Sequence, residues 1–326
     1  MNYVGIDLHK ETSWFYVLND KGQKLDSKNV SNKITELKKY FETIPKPFQL
    51  AVETTYNWYF MIDLAQEYTE HVYLANSYEL KAFAKRNKKT DKIDAQLIAS
   101  ILQKGFLPSV TIANKHTREI RELLSCRIKL VSDRSRNIYR LKNLLDKIGR
   151  ISTGDFTILA NLKKINTNSL PSNYKIVIEQ YKDIIIFLKK EIYKLDKEIA
   201  IIAQYDTDIC NLLSIPGLGN FSALLVKSEI IDIKRFKSFN RLCAYAGLAP
   251  RVSASANKIH HGPLNKNRRK HLQWILLEVC FHFIKSEKKY YDKYLSIRQR
   301  KGHNTAKVAL AREMLKVIYA VLKERR

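Results

Sequence analysis

Between residues 120 and 148, apolar and cationic side chains recur with strict four-three spacing: Ile120, Leu124, Arg127, Val131, Arg134, Ile138, Leu141, Leu145 and Ile148. A strand cannot put such a set on one side. An α-helix can, and a seam of this length needs a second helix to cover it. A candidate partner runs through Val177, Tyr181, Ile184, Leu188, Ile192, Leu195, Ile199 and Ile202, slipping by one residue between Leu188 and Ile192. The Ser/Thr/Asn/Gly-rich stretch from Ile151 to Asn173, with Pro171 near its end, separates the two runs as a linker or tip. The pair is either an antiparallel hairpin within one chain or an arm that joins two copies. Arg127 and Arg134 at seam positions either fix register or meet acids on a partner.

The residues before this helical region read differently. Tyr3 to Ile6 and Ser13 to Leu18 are β-rich runs with a turn at Lys21-Gly22, and Ile34 to Phe41 is an amphipathic helix. Phe48 to Glu53 reads as a buried strand, followed by a helix through Trp58 to Tyr68, a short strand at Val72 to Ala75 and a helix from Asp91. Such an order predicts a mixed-sheet α/β domain. Asp7 and Glu53 close two of its strands, where α/β sheets tend to place ligand-binding groups. Asp91 and Asp94 lie three apart at a helix start, and so share one face. As a helix start, the pair is an ordinary match to the dipole. Together with Asp7 and Glu53 it makes a set able to hold divalent ions such as Mg²⁺ against a phosphodiester.

Charge narrows the partners. With 58 Lys+Arg against 32 Asp+Glu, the 326-residue chain carries +26, the electrostatic footprint of a nucleic-acid binder. The most apolar runs, such as Ile184 to Leu188, fall far short of the roughly 20 residues of a membrane span. The start goes straight into a strand and reads as cytoplasmic. Cys126, Cys210, Cys243 and Cys280 form no C-x-x-C pair and read as reduced core residues.

The last third opens with Ile215-Pro216-Gly217-Leu218-Gly219 between apolar helices, a turn resembling a helix-hairpin-helix as much as a plain connection. Further on, Arg251 precedes a polar loop, Val252 to Lys258, and then the densest basic cluster: Lys258, His260, His261, Lys266, Arg268, Arg269, Lys270 and His271. Small hydroxyl residues beside such cations can put a nucleophilic serine next to a held phosphate. Lys88 and Lys89, just before the Asp91 helix, extend the cationic set.

The order and spacing of several motifs resemble a known family along nearly the whole chain. These are Gly5-Ile6-Asp7-Leu8-His9-Lys10; Glu53-Thr54-Thr55; Ala75-Asn76; Lys89-Thr90-Asp91-Lys92-Ile93-Asp94-Ala95; Ile215 to Gly219; and Ala244-Tyr245-Ala246-Gly247-Leu248-Ala249-Pro250-Arg251. The chain resembles the DEDD-type insertion-sequence transposases of the "one-ten" family, related to the Piv/MooV DNA invertases. The resemblance implies α/β plus all-α architecture: an RuvC-like (RNase H-like) domain over 1–112, a helical coiled-coil assembly region over 113–206, and a mainly α-helical transposase domain over 207–326. It further implies a Mg²⁺-binding tetrad of Asp7, Glu53, Asp91 and Asp94. A catalytic serine would form a covalent link to DNA, in a composite site with the acids. Donor and target DNA would be selected by a structured bridge RNA, and the working assembly would be a homo-oligomer, dimer or tetramer.

The family serine maps to Ser255, with Ser253 as the second candidate. Residue 256 is Ala where the family has Gly, and Lys266-Asn267-Arg268-Arg269 lacks a later Gly-Asn. Nucleic-acid contacts are expected from Lys88, Lys89, Arg251, Lys258, Lys266, Arg268, Arg269 and Lys270. The alternatives are a RuvC-like nuclease or resolvase in which the acids act alone, and a site-specific invertase of the Piv type.

Overall fold

A computed structural model describes residues 1–83, 90–150, 154–255 and 258–324, with the side chains of 252–261 outside that description. Two compact units divide the chain, Met1–Ala113 and Asn114–Arg326. In the first, β1 (Asn2–Leu8), β2 (Thr12–Leu18) and β3 (Lys24–Ser31) precede α1 (Ile34–Thr43), β4 (Phe48–Glu53) and α2 (Trp58–Ala65). Then come β5 (Val72–Ala75), α3 (Ser77–Leu80), α4 (Asp91–Gln103) and β6 (Ser109–Val110). The sheet order is β3-β2-β1-β4-β5-β6. The first three strands are antiparallel, β1, β4 and β5 are parallel, and β6 returns antiparallel. The mixed sheet is the one the strand and helix pattern predicts; β3, implied only by the turn at Lys21-Gly22, and the two-residue β6 are not read as strands from the sequence.

Strand alternation sorts the side chains between two faces. Val4, Ile6 and Leu8 of β1 and Phe48, Leu50 and Val52 of β4 pack with Leu37 and Phe41 of α1 and Met61 and Ile62 of α2. On the opposite face, Ala51 packs with Ile98 of α4, and Tyr16 and Leu18 pack with Ala95 and Ala99. Gly5 and Asp7 alternate with the first set, so they share α4's face, as does Glu53. The close approach depends on Gly5. A β-carbon there would lie 2.2 Å from the Ala95 carbonyl oxygen and 2.5 Å from the Ala99 amide nitrogen.

The second unit begins with α5 (Lys115–Lys147), α6 (Leu159–Lys163) and α7 (Ser172–Gln204). Leu141 and Leu145 pack with Ile178 and Ile185, whereas Leu124 joins Ile199 and Ala203, so α5 and α7 run antiparallel within one chain. Phe156 and Leu162 complete the first of these clusters. Arg127 finds its acid on the same chain: its Nε donates to Asp196 at 2.5 Å, and its guanidinium lies 4.1 Å from the centre of the Phe221 ring. A cation over a ring and paired with a carboxylate is a stable way to keep charge at a seam position.

The chain continues through α8 (Thr207–Leu213), α9 (Asn220–Ile230), a 3₁₀ turn (Ile233–Arg235) and α10 (Phe239–Tyr245). After a two-stranded ribbon of β7 (Pro250–Ser255) and β8 (Lys258–Leu264) come α11 (Lys270–Phe283), α12 (Lys288–Lys301) and α13 (His303–Glu324). One apolar core joins Leu124 and Ile199 to Leu224, Leu242, Leu276 and Met314. Gly217, at φ +96°, sits where a β-carbon would come within 2.9 Å of His282 Cβ and 3.0 Å of the Val279 carbonyl oxygen. The Pro216-Gly217 turn is thus pressed against α11. Cys243 and Cys280 are buried as expected, while Cys126 and Cys210 are exposed and not core residues. Among the described residues, no helix is long and apolar enough to cross a membrane.

Candidate active site

The ends of β1 and β4 and the start of α4 meet on one face of the sheet. Parallel pairing sets Ile6 beside Val52, which brings the next residues, Asp7 and Glu53, to the same strand ends. Thr90 caps α4, its side chain accepting from the Ile93 amide, so Asp91 and Asp94 fall in the first turn. Asp7 is 5% exposed, Glu53 and Asp94 are half-buried, and Asp91 is exposed. Burial pushes the Asp7 carboxyl up to about 6; His9 opposes the shift, and the charges of Glu53, Asp94 and Asp91 add to it. Each of the other three acids is therefore near enough for Asp7 to respond to its charge.

His9 is the residue the sequence reading passed over as a site member. Its Nε2 lies 3.2 Å from Asp7 Oδ2 and 3.3 Å from Asp91 Oδ1, between two carboxylates that would otherwise face each other. The imidazole is held from its backbone: the His9 amide donates to the Thr12 carbonyl, and the His9 carbonyl accepts from the side-chain amides of Asn32 and Asn57. One ligand atom from each of Asp7, His9 and Asp91 fits within 4.8 Å of the others.

The donor set suits a hard divalent cation: carboxylate oxygens at strand and helix ends, one of them raised by burial and further by its neighbours' negative charge. A cation there would offset both the burial of the Asp7 charge and the repulsion from its neighbours. Asp7, His9 and Asp91 bring ligand atoms together here, and the charges of Glu53 and Asp94 reach Asp7 from beside them.

The serine region is separate in the chain. Ser255 ends β7 and pairs in register with Lys258, while Ser253 pairs with His260. A polar loop was expected from Val252 to Lys258; the backbone instead forms a ribbon, and Ala256 and Asn257 lie outside the described residues. Serine, alanine and asparagine are weak strand formers, so pairing across the ribbon outweighs local preference. Arg251, Lys266 and Lys270 are exposed. Arg269 is instead committed to Glu229, its Nε donating at 2.7 Å, and Arg268 packs against Gly247 and donates to the Asn265 carbonyl. Lys88 and Lys89 lie outside the described residues.

Comparison with known proteins gives matches over both units. A family model for the DEDD domain of IS110, described as a transposase, matches residues 4–149, and one described as "Transposase IS116/IS110/IS902 family" matches residues 210–295. The chain is 27% identical over 257 residues to the transposase for insertion sequence element IS1111A of Coxiella burnetii, covering 76% of this chain and 70% of that protein. A probable family 20 transposase of Pseudomonas aeruginosa is 22% identical over 334 residues, 99% of this chain and 97% of the relative. The transposase for insertion sequence element IS1328 of Yersinia enterocolitica is 23% identical over 85% of this chain and 82% of its own length. Asp7, Glu53, Asp91 and Asp94 fall in the first matched segment, Glu229 and Ser255 in the second.

Proposed function

Since the chain belongs to the IS110 family of insertion-sequence transposases, we propose that it cleaves and rejoins DNA by serine-dependent strand exchange. Asp7, Glu53, Asp91 and Asp94 would hold Mg²⁺, and Ser255 would be the nucleophile. The observation that carries the metal reading is the convergence of these acids, with Asp7 buried and raised to about 6 by burial and by its neighbours' charge. When bound, Mg²⁺ supplies positive charge to phosphate oxygens, which lowers the cost of charge building there.

In this scheme the Ser255 Oγ attacks the scissile phosphorus. One P–O bond forms to serine as the P–O bond to the leaving strand breaks, and the serine proton passes to the released oxygen. The phosphoserine ester keeps the bond's energy, so an incoming strand hydroxyl reverses the step without an external energy source. Arg251, Lys258, Lys266 and Lys270 would neutralise DNA or RNA phosphates, with Lys88 and Lys89 serving the acidic site and Arg268 and Arg269 backing the same surface. Donor and target DNA would be chosen by a bridge RNA, for which a net charge of +26 leaves ample electrostatic capacity. Residues 113–206 would serve assembly of a dimer or tetramer, and residues 207–326 would carry the serine chemistry.

The acidic cluster also favours a second reading, a metal-dependent nuclease in which serine is incidental. One comparison separates the two. Ser255→Ala is expected to lose recombination and any covalent protein–DNA adduct while binding nucleic acid like the parent. Asp91→Ala is expected to lose recombination and keep its RNA. Hydrolysed ends from a Ser255→Ala protein would favour the nuclease, and full recombination by Asp91→Ala would remove the acids from the mechanism. RNA should co-purify with the parent, and recombination surviving RNase treatment would count against guidance.

A further inference from the structure

Glu229 is 4% exposed, yet it is a carboxylate at the end of α9, remote in sequence from every group assigned above. Burial alone would raise it, but His271, whose Nδ1 lies 3.7 Å away, and the charges of Arg269 and Arg121 outweigh burial and hold it at about 2. Its strongest partner is Arg269, through Nε at 2.7 Å and a terminal guanidinium nitrogen at 2.6 Å. A carboxylate this buried is costly without such pairing, and its position relative to the partner is correspondingly fixed.

The partners of this end of α9 stand at the two roots of the β7–β8 ribbon. Arg269 follows β8; its amide donates to the Tyr245 carbonyl at 3.0 Å, and Tyr245 ends the helix that leads into β7. The Tyr245 hydroxyl in turn donates to the Glu229 main-chain carbonyl at 3.0 Å. Beside them the Gln273 amide donates to the Gly247 carbonyl at 2.6 Å. Gly247 has φ +69°, and a β-carbon on it would overlap the Arg268 side chain. Both chain segments that carry the ribbon are thus tied to residue 229, the β8 root by an ion pair from Arg269 to its carboxylate and the β7 root by a hydrogen bond from Tyr245 to its main-chain carbonyl.

We propose that Glu229 is a positioning residue for strand exchange, clamping both roots of the ribbon through Arg269 and Tyr245 so that Ser255 at the far end of β7 meets the phosphate in a fixed orientation. This rests on Ser255 being the nucleophile. A small error at the roots is carried along two extended strands to the tip, and misplacement by about 1 Å can cost about 10²-fold in rate.

The test compares the full-length parent with Glu229→Gln, Glu229→Asp and Tyr245→Phe, by amide hydrogen exchange and by adduct formation on DNA carrying the element's end. In Glu229→Gln, ribbon amides are expected to exchange about tenfold faster or more, and adduct formation to fall about tenfold or more, while DNA affinity stays within about twofold. Glu229→Asp, which keeps the charge, is expected to recover part of both losses, and Tyr245→Phe to show a smaller change of the same kind. If Glu229→Gln does not fold, Glu229→Asp, which shifts the carboxylate from Arg269, takes its place beside Tyr245→Phe, which removes the bond to the main-chain carbonyl. Parental ribbon exchange in both variants would overturn the proposal. So would a loss of protection spread evenly over α9, α11 and α13 with adduct formation per folded molecule unchanged. An adduct that persists in Ser255→Ala would remove the serine reading instead, and ribbon exchange would still decide whether Glu229 is the clamp.

Discussion

Gly5→Ala is expected to lower strand-exchange activity about 10²-fold and to destabilise the sheet unit by about 1–3 kcal/mol, although residue 5 touches no substrate. The added methyl has nowhere to go. It would meet backbone of α4, the Ala95 carbonyl oxygen at 2.2 Å and the Ala99 amide nitrogen at 2.5 Å, neither of which can rotate away. The helix must lift from β1, and it carries Asp91 and Asp94 with it while Asp7 and Glu53 stay on their strands. Thermal unfolding and a recombination assay check this. Parental activity in Gly5→Ala would mean that α4 tolerates displacement and that the four acids need not act together.

Asp7→Asn is expected to show the opposite pairing of effects: loss of activity with a gain in metal-free stability. With the Asp7 carboxyl raised from 3.8 to about 6, its charged form costs the folded state about 3 kcal/mol at neutral pH. The folded chain binds this proton more tightly than the unfolded chain does. Metal-free stability should therefore rise as pH falls from about 6 towards 3.8, and the cost should be fully present above about 6. Asn keeps the shape without the charge, so it should stabilise the metal-free protein near neutral pH and flatten that part of the pH profile. Chemical denaturation with a chelator at several pH values measures both. A destabilised Asp7→Asn would mean that the His9 contact outweighs burial and the neighbouring acids.

How far the sequence carries can be judged from these residues. The strands β1 and β4 are legible, and with them the placing of Asp7 and Glu53 at strand ends, because strand pattern depends only on neighbours in the chain; that the two acids share a face follows from the β1–β4 register. Asp91 and Asp94 were legible for the same reason, three apart on a helix. His9 was not. It stands beyond the strand end, and what turns it between Asp7 and Asp91 is a set of hydrogen bonds from Asn32 and Asn57, which no local pattern encodes. Arg269 misled in the other direction: among so many cations it reads as a phosphate contact, yet Glu229, 40 residues earlier, holds it. The α5–α7 seam was readable as a helix pair, but whether its partner was the same chain or another copy depended on contacts such as Arg127 with Asp196, which spacing alone leaves open.

Which atom of the protein becomes bonded to DNA separates serine-dependent exchange from every alternative. The direct measurement is to stop the reaction in denaturant, digest the protein and the DNA, and locate the nucleotide-bearing peptide by mass spectrometry. A phosphoserine ester at Ser255, absent in Asp91→Ala and in Ser255→Ala, is the predicted result. Cleaved and rejoined DNA with no protein-linked nucleotide, or with the nucleotide on another residue, would contradict it.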